Sequence, residues 1–177
     1  GWSHLAGSTL RWGGLLESRA LKRCRAAIYS NDWALRSAIT DYSAPSKKLH
    51  CVPYGANITP VVSQGALPQF VHRRLGNPYR LLFVGVDWHR KGGPIALEVS
   101  KILTARGLPV ELHVVGCAPA TTVPEYVVVH GFIDKSTASG RDRLASLFTD
   151  ATFFILPTIA ECCAIAYAEA CAFGLPV

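Results

Sequence analysis

ECCAIAYAEACAFGLPV, residues Glu161 to Val177, sets two carboxylates, Glu161 and Glu169, in an otherwise small and apolar run. It follows a second apolar run, Thr152 to Leu156, closed by Pro157. That run reads as a buried strand. Strand, short loop and helix make the βα half of an α/β unit. Ligands of open α/β sheets bind where such strands end and such helices begin. A carboxylate in the loop and another two turns into the helix can reach one elongated ligand, because eight helical residues span ~12 Å.

Working outward, the same alternation repeats. Leu81 to Val84 is a buried-strand candidate, Gly85 to Gly93 a polar loop bearing glycines, and Pro94 the first residue of a helix, where its missing N–H costs nothing. That helix runs to about Arg106 and stops at Gly107. Strands follow at Val110–Val115 and Val127–His130, then a helix at Gly140–Phe148, the strand at 152–156 and a helix from about Cys163. Continuous apolar strands alternating with helices predict a parallel sheet covered on both faces. Nearer the start, the pattern predicts a helix over Leu15–Arg25, a strand over Ala26–Tyr29, and a helix over Trp33–Tyr42 capped from Ser30-Asn31-Asp32. A short strand follows at Leu49–Val52. Residues 58–78 are rich in Pro, Gly, Ser and Gln and read as a linker.

Half of the 177 residues are hydrophobic and 17% are charged, which excludes a disordered chain and allows a real core. No apolar run reaches the ~18 residues of a membrane span, and the first residues do not read as a signal peptide. The six cysteines, at 24, 51, 117, 162, 163 and 171, form no C-x-x-C pair and have no His at zinc-ligand spacing. They read as reduced core residues, with Cys162 and Cys163 lining a site; no metal is expected. The net charge of +6 is concentrated early: residues 1–50 carry eight Lys/Arg against three Asp/Glu. The densest part, RALKRCR from Arg19 to Arg25, suits an anionic membrane surface or acceptor, or is a solvated helix face. Nucleic acid is excluded as a partner, because interleaved aromatics and any known motif are missing.

Three constellations carry possible chemistry. The loop VGVDWHRKGGP, residues 84–94, ends a strand and feeds a helix N-terminus, where the dipole and free N–H groups favour an anion. Arg90 and Lys91 add charge, and Gly92 and Gly93 permit close backbone approach. The loop has neither the Walker order nor G-x-G-x-x-G, so nicotinamide binding has little support. In the second, Glu161 and Glu169 are flanked by Cys, Ala, Ile, Tyr and Phe, so at least one faces a site or a partner. A carboxylate meeting a ribose diol accepts two hydrogen bonds, which offsets its burial. The third, Val129-His130-Gly131-Phe132-Ile133, ends a strand with a glycine that lets a planar base approach the backbone or simply makes a tight turn.

In this order the pieces resemble the glycogen-synthase-like retaining glycosyltransferases of the GT-B fold, the glycosyl transferase group 1 family. The resemblance rests on Val52-Pro53-Tyr54-Gly55-Ala56-Asn57, Phe83-Val84-Gly85 with Lys91-Gly92, His130-Gly131-Phe132, and Glu161 to Glu169 followed by Gly174-Leu175-Pro176-Val177. It implies an α/β fold of two Rossmann-like domains. Residues 1–57 would be the last portion of the acceptor-side domain, 58–78 the linker, and 79–177 a nucleotide-sugar donor-binding domain truncated at its C-terminal end. It also implies that Lys91, with Arg90 and Gly92, binds the donor diphosphate, that Glu169 holds the ribose, and that Glu161 contacts the donor sugar as the catalytic carboxylate. The backbone at Phe132 and Ile133 would hold the base, and Cys163 and Ala164 would line the diphosphate approach.

The chain departs from the family at Val86, where an Arg is frequent, and at Cys163-Ala164, where an aromatic and a Gly are usual. The implied activity is retaining, hexosyltransferase-type sugar transfer from a nucleotide sugar, without a metal or other cofactor, to a polysaccharide or lipid-linked acceptor. The implied place is the cytoplasm, with peripheral contact at the inner membrane face through the basic segment. The absence of Met and an ending that enters a new apolar strand lead us to expect a piece of a longer protein, inactive in transfer alone. Two further readings stay open: a nucleotide-sugar epimerase, and a non-catalytic module binding nucleotides or a protein partner.

Overall fold

A computed structural model describes residues 6–58, 76–120 and 122–177. The chain divides into two units, Gly1–Tyr54 and Gly55–Val177. The first unit opens with helix α1 (Gly7–Arg23), which starts well before the expected Leu15. Gly13 and Gly14 disfavour a helix by ~1 kcal/mol each. They stand in open space, however, and the good helix formers on either side carry the helix through them. The helix ends with Lys22 and Arg23 in its last turn, where cations suit the dipole. Lys48 Nζ adds donations to the carbonyls of Lys22 (3.3 Å) and Cys24 (3.1 Å).

Strand β1 (Ala27–Tyr29), helix α2 (Asp32–Thr40) and strand β2 (Leu49–Cys51) complete a parallel βαβ unit, with Ala27 opposite Leu49. Asn31 caps α2 as expected: its Oδ1 accepts the Ala34 N–H at 2.8 Å. Leu21, Ala38, Ala44 and Leu49 form the core of this unit.

The second unit contains β3 (Tyr79–Val84), α3 (Gly93–Ala105), β4 (Val110–Val115), β5 (Val127–Gly131), α4 (Ala138–Asp150), β6 (Phe153–Phe154) and α5 (Ile165–Ala172). Its sheet is parallel throughout, in the order β5-β4-β3-β6. Consecutive buried residues Leu81, Leu82 and Phe83 mark β3 as covered on both faces, which the unbroken apolar run predicts. The chain crosses from β3 through α3 to β4, and later from β5 through α4 back to the other side of β3. Right-handed crossovers in opposite directions place α3 and α4 on opposite faces. Phe148 of α4 stacks on Phe154 of β6 (6.1 Å) and on Phe173 beyond α5 (5.3 Å).

Two expectations need correction here. The strand expected at 152–156 is regular only at Phe153–Phe154. Its neighbours still bond to β3, through Thr152 N–H to the Arg80 carbonyl and Ile155 N–H to the Leu82 carbonyl, but Pro157 has no N–H to continue. The last helix begins at Ile165 rather than about Cys163; Glu161 lies in the loop before it, as expected, but Glu169 stands little more than one turn into the helix, so a ~12 Å helical span does not separate the two carboxylates. After Gly174 the chain turns beside β6, where the Pro176 carbonyl accepts the Phe154 N–H at 2.8 Å. Most of the expected linker, residues 59–75, lies outside the described residues.

Candidate functional site

The sheet order reverses at β3: the chain steps to β4 and β5 on one side and returns to β6 on the other. Loops leaving the carboxyl ends of β3 and β6 therefore stand at the usual ligand position in such sheets. The loop after β3 is a tight turn built on its own backbone. Lys91 N–H donates to the Asp87 carbonyl, Gly92 N–H to His89 and Gly93 N–H to Trp88. Asp87 Oδ1 accepts the Arg90 N–H at 3.0 Å. Trp88 is buried against Phe83, ring centroids 5.4 Å apart.

The two glycines serve this packing. Gly92 has φ +79°, and a Cβ there would lie 1.9 Å from the Pro157 carbonyl oxygen. A Cβ on Gly93 would lie 2.1 Å from the Trp88 ring. The close approach expected at Gly92 is thus to the second loop. The free N–H groups expected at the start of α3 are taken up inside the turn, and Pro94 has none to offer.

The second loop is fastened onto the first. Ile159 N–H and Thr158 Oγ1 both donate to the Arg90 carbonyl, and Arg90 Nη1 donates to the Ala160 carbonyl at 3.1 Å. This brings Glu161 against Lys91, and the two side chains bond directly through Glu161 Oε2 and Lys91 Nζ. Arg90 Nη1 stands 3.7 Å from the same oxygen, and Glu161 Oε1 accepts the Cys162 N–H at 3.1 Å. Burial pushes the Glu161 carboxyl up, but the hydrogen bond and charge of Lys91, helped by the Cys162 amide and Arg90, hold it below the ordinary glutamate value. Gly85 makes room for the lysine: a Cβ there would meet Lys91 Cγ at 2.9 Å.

Glu169 sits on α5 and is 1% exposed. Its Oε1 accepts from Lys135 Nζ at 2.8 Å, a partner that the sequence did not announce. Lys135 is thirty-four residues away in the loop between β5 and α4 and belongs to no motif. Ala164 is the N-cap of α5 and provides no side-chain hydrogen bond, so this helix start keeps amide groups that an anion can use. Cys163 is half-buried beside it, and Cys162 is exposed. At the end of β5, Gly131 has φ +70° with open space where a Cβ would stand, Phe132 is exposed and Ile133 is buried. All six cysteines are unpaired.

A polar seam across the sheet was also not foreseen. Arg80 Nε donates to Glu111 Oε2 at 3.2 Å, His113 Nε2 lies 3.1 Å from that oxygen, and His113 Nδ1 lies 2.9 Å from His130 Nε2. Arg143 Nη2 stands 3.5 Å from the other His130 nitrogen. Glu111 and His113 alternate onto one face of β4, the signal that period-two reading offers. Burial, then the neighbouring His113 and Arg143, depress the His130 imidazole.

The structure thus gathers Arg90, Lys91 and Glu161 into one ion-paired group, and joins Glu169 to Lys135 in another. The cations can meet an anion, and the carboxylates can accept hydroxyl groups. A family profile described as "Glycosyl transferases group 1" matches residues 78–177. A search of curated protein sequences found no match. Among solved structures, the crystal structure of TarM aligns at 10% identity with a TM-score of 0.66, over 94% of this chain and 31% of its own. WaaG, a glycosyltransferase involved in lipopolysaccharide biosynthesis, aligns at 20% identity and TM-score 0.59, over 85% of this chain and 42% of its own. Anabaena Alr3699/HepE, solved in complex with UDP and glucose, aligns at 17% identity and TM-score 0.60, over 98% of this chain and 48% of its own. The chain therefore spans less than half the length of each, and these likenesses bear on the fold, which is of the GT-B type.

Proposed function

The chain belongs to the group 1 glycosyl transferases, and on that premise we propose that the protein of which it forms part transfers a hexose, with retention of configuration, from a nucleotide sugar to a polysaccharide or lipid-linked acceptor. The observation that carries the reading is the meeting of Lys91 and Glu161 at the reversal of strand order. A cation for the diphosphate and a carboxylate for the sugar there stand together. Lys91, with Arg90 nearby, neutralises the diphosphate in place of a metal, since charge-assisted bonds to phosphate are strong. The uncapped start of α5 at Cys163 and Ala164 adds its dipole. Glu161 holds the donor sugar, Glu169 accepts the ribose diol, and the backbone at Phe132 and Ile133, next to the open space at Gly131, receives the base.

We place the protein in the cytoplasm. The basic last turn of α1 and the exposed Leu10, Trp12, Leu15 and Leu16 on the same helix suit peripheral contact with an anionic inner membrane face. Calorimetry of the chain against UDP-, GDP- and ADP-sugars tests donor binding. The anomeric configuration of the product made by the complete enzyme, read by NMR, tests retention. Failure to bind any sugar nucleotide, or an inverted product, refutes the corresponding part.

A further inference from the structure

We propose that Lys135 is a positioning residue for ribose recognition, acting through Glu169; this rests on the reading of Glu169 as the ribose ligand. Glu169 lies on α5, and its side chain is 2% exposed. A carboxylate so enclosed needs a compensating charge, and a bare one is expensive to bury. The structure supplies that charge from another element. Lys135, 42% exposed, reaches in from the loop between β5 and α4 and donates to Oε1 at 2.8 Å.

The stem of that loop is fixed by further bonds. Asp134 Oδ1 accepts the Ser136 N–H at 2.8 Å, and Arg141 Nη1 donates to the carbonyls of Lys135 (3.1 Å) and Ser136 (2.8 Å). A Cβ on Gly140 would lie 1.9 Å from the Asp134 carbonyl oxygen, so the loop is pressed onto the start of α4. Lys135 is therefore presented from a braced backbone.

The geometry divides the work. An ionised carboxylate has about four acceptor positions, and an ammonium has donors only. One ammonium at Oε1 occupies one of those positions. It turns the carboxylate in a fixed direction, and about three acceptor positions remain for the two hydroxyls of a ribose. Lys135 need not touch the nucleotide to matter. Its loop also follows the Phe132-Ile133 backbone that we assign to the base, so base and ribose recognition are tied through one short segment.

The test compares the 177-residue chain with Lys135→Met and Lys135→Arg variants by calorimetry. The probes are UDP, GDP and ADP, and the 2′-deoxy form of whichever binds best. The wild type is expected to prefer the ribose form by ~10-fold, the value of about one hydrogen bond to a charged group. Lys135→Met should abolish that preference while leaving affinity for the deoxy form unchanged, and Lys135→Arg should restore it. In a Glu169→Gln background, Lys135→Met should change nothing further. If Lys135→Met does not fold by circular dichroism, Lys135→Gln, which keeps a donor without the charge, is read by the same ratio. A full ribose preference in the Met or Gln variant overturns the role of Lys135 and leaves Glu169 as the ribose ligand. A wild type that binds none of the three, or binds both sugar forms equally, removes the reading of Glu169 and the proposal with it.

Discussion

Lys91 and Glu161 stand seventy residues apart in sequence and bond directly where the loops after β3 and β6 meet. The lysine is thus paired within the chain, and a diphosphate must share it with the carboxylate. Lys91→Ala removes a charge-assisted donor worth ~1.5–3 kcal/mol, so nucleoside diphosphate affinity should fall ~10–100-fold. It also exposes the ligand to an unpaired Glu161. The same substitution in a Glu161→Gln background should therefore cost less. Equal losses in both backgrounds, measured by calorimetry, would show that the pair is not coupled at the site.

Glu161 and Glu169 should separate by assay. Glu169→Gln is expected to weaken every ribonucleotide, because the neutral amide is a poorer acceptor for the diol. Glu161→Gln is expected to bind the free diphosphate as well as the wild type or better, since Lys91 is released. In the complete enzyme it should still lose most of its turnover. Parallel binding and rate measurements on both variants decide this, and matching losses of nucleotide affinity would refute the division.

Gly92→Ala should be strongly destabilising although it adds one methyl group. The position has φ +79°, and the new Cβ would fall on the Pro157 carbonyl. Left-handed strain contributes ~1–3 kcal/mol, and the clash forces the two loops apart. A loss of ~2–4 kcal/mol in denaturant unfolding is expected. Gly131→Ala, also at positive φ but in open space, should cost only the strain.

The His130 imidazole predicts a pH dependence with a definite sign. Its affinity for a proton is lowered in the folded state, so the unfolded chain takes up protons first on acidification. Stability is then complete above the ordinary histidine range and falls as pH drops through it. His113, Glu111, Arg80 and Arg143 are the charged or titratable groups bonded along the same seam. Melting temperature should decline between pH 7.5 and 5.5, and His130→Asn should flatten that decline. An unchanged slope would place the loss elsewhere.

The fold was legible because its signals are local or periodic. Unbroken apolar runs at Leu81–Val84 and Val110–Val115 marked strands buried on both faces, and Asn31 announced its cap. Helix α1 was read short, because its apolar spacing was followed only from Leu15, whereas the helix begins at Gly7. The pairing of Lys91 with Glu161 was only half legible: both residues were picked out, but nothing in sequence shows that the two hold each other. Lys135 was silent, since its meaning comes from tertiary approach to α5 across thirty-four residues. Gly92 was read as room for a ligand, and the room is taken by Pro157.

The pairing of β6 with β3 has a consequence in time as well as in space. The βαβ path through β3, α3 and β4 closes over a short stretch of chain, whereas β6 must return across α4 before it can reach Leu81 and Leu82. Contacts that span so much chain bear the larger closure entropy and form slowly. The Lys91–Glu161 pair cannot exist until that return is made. During folding or synthesis, the first half of the sheet can therefore stand ordered while the loop after β6 is not yet in place, and the chemistry of the site is assembled in the last step.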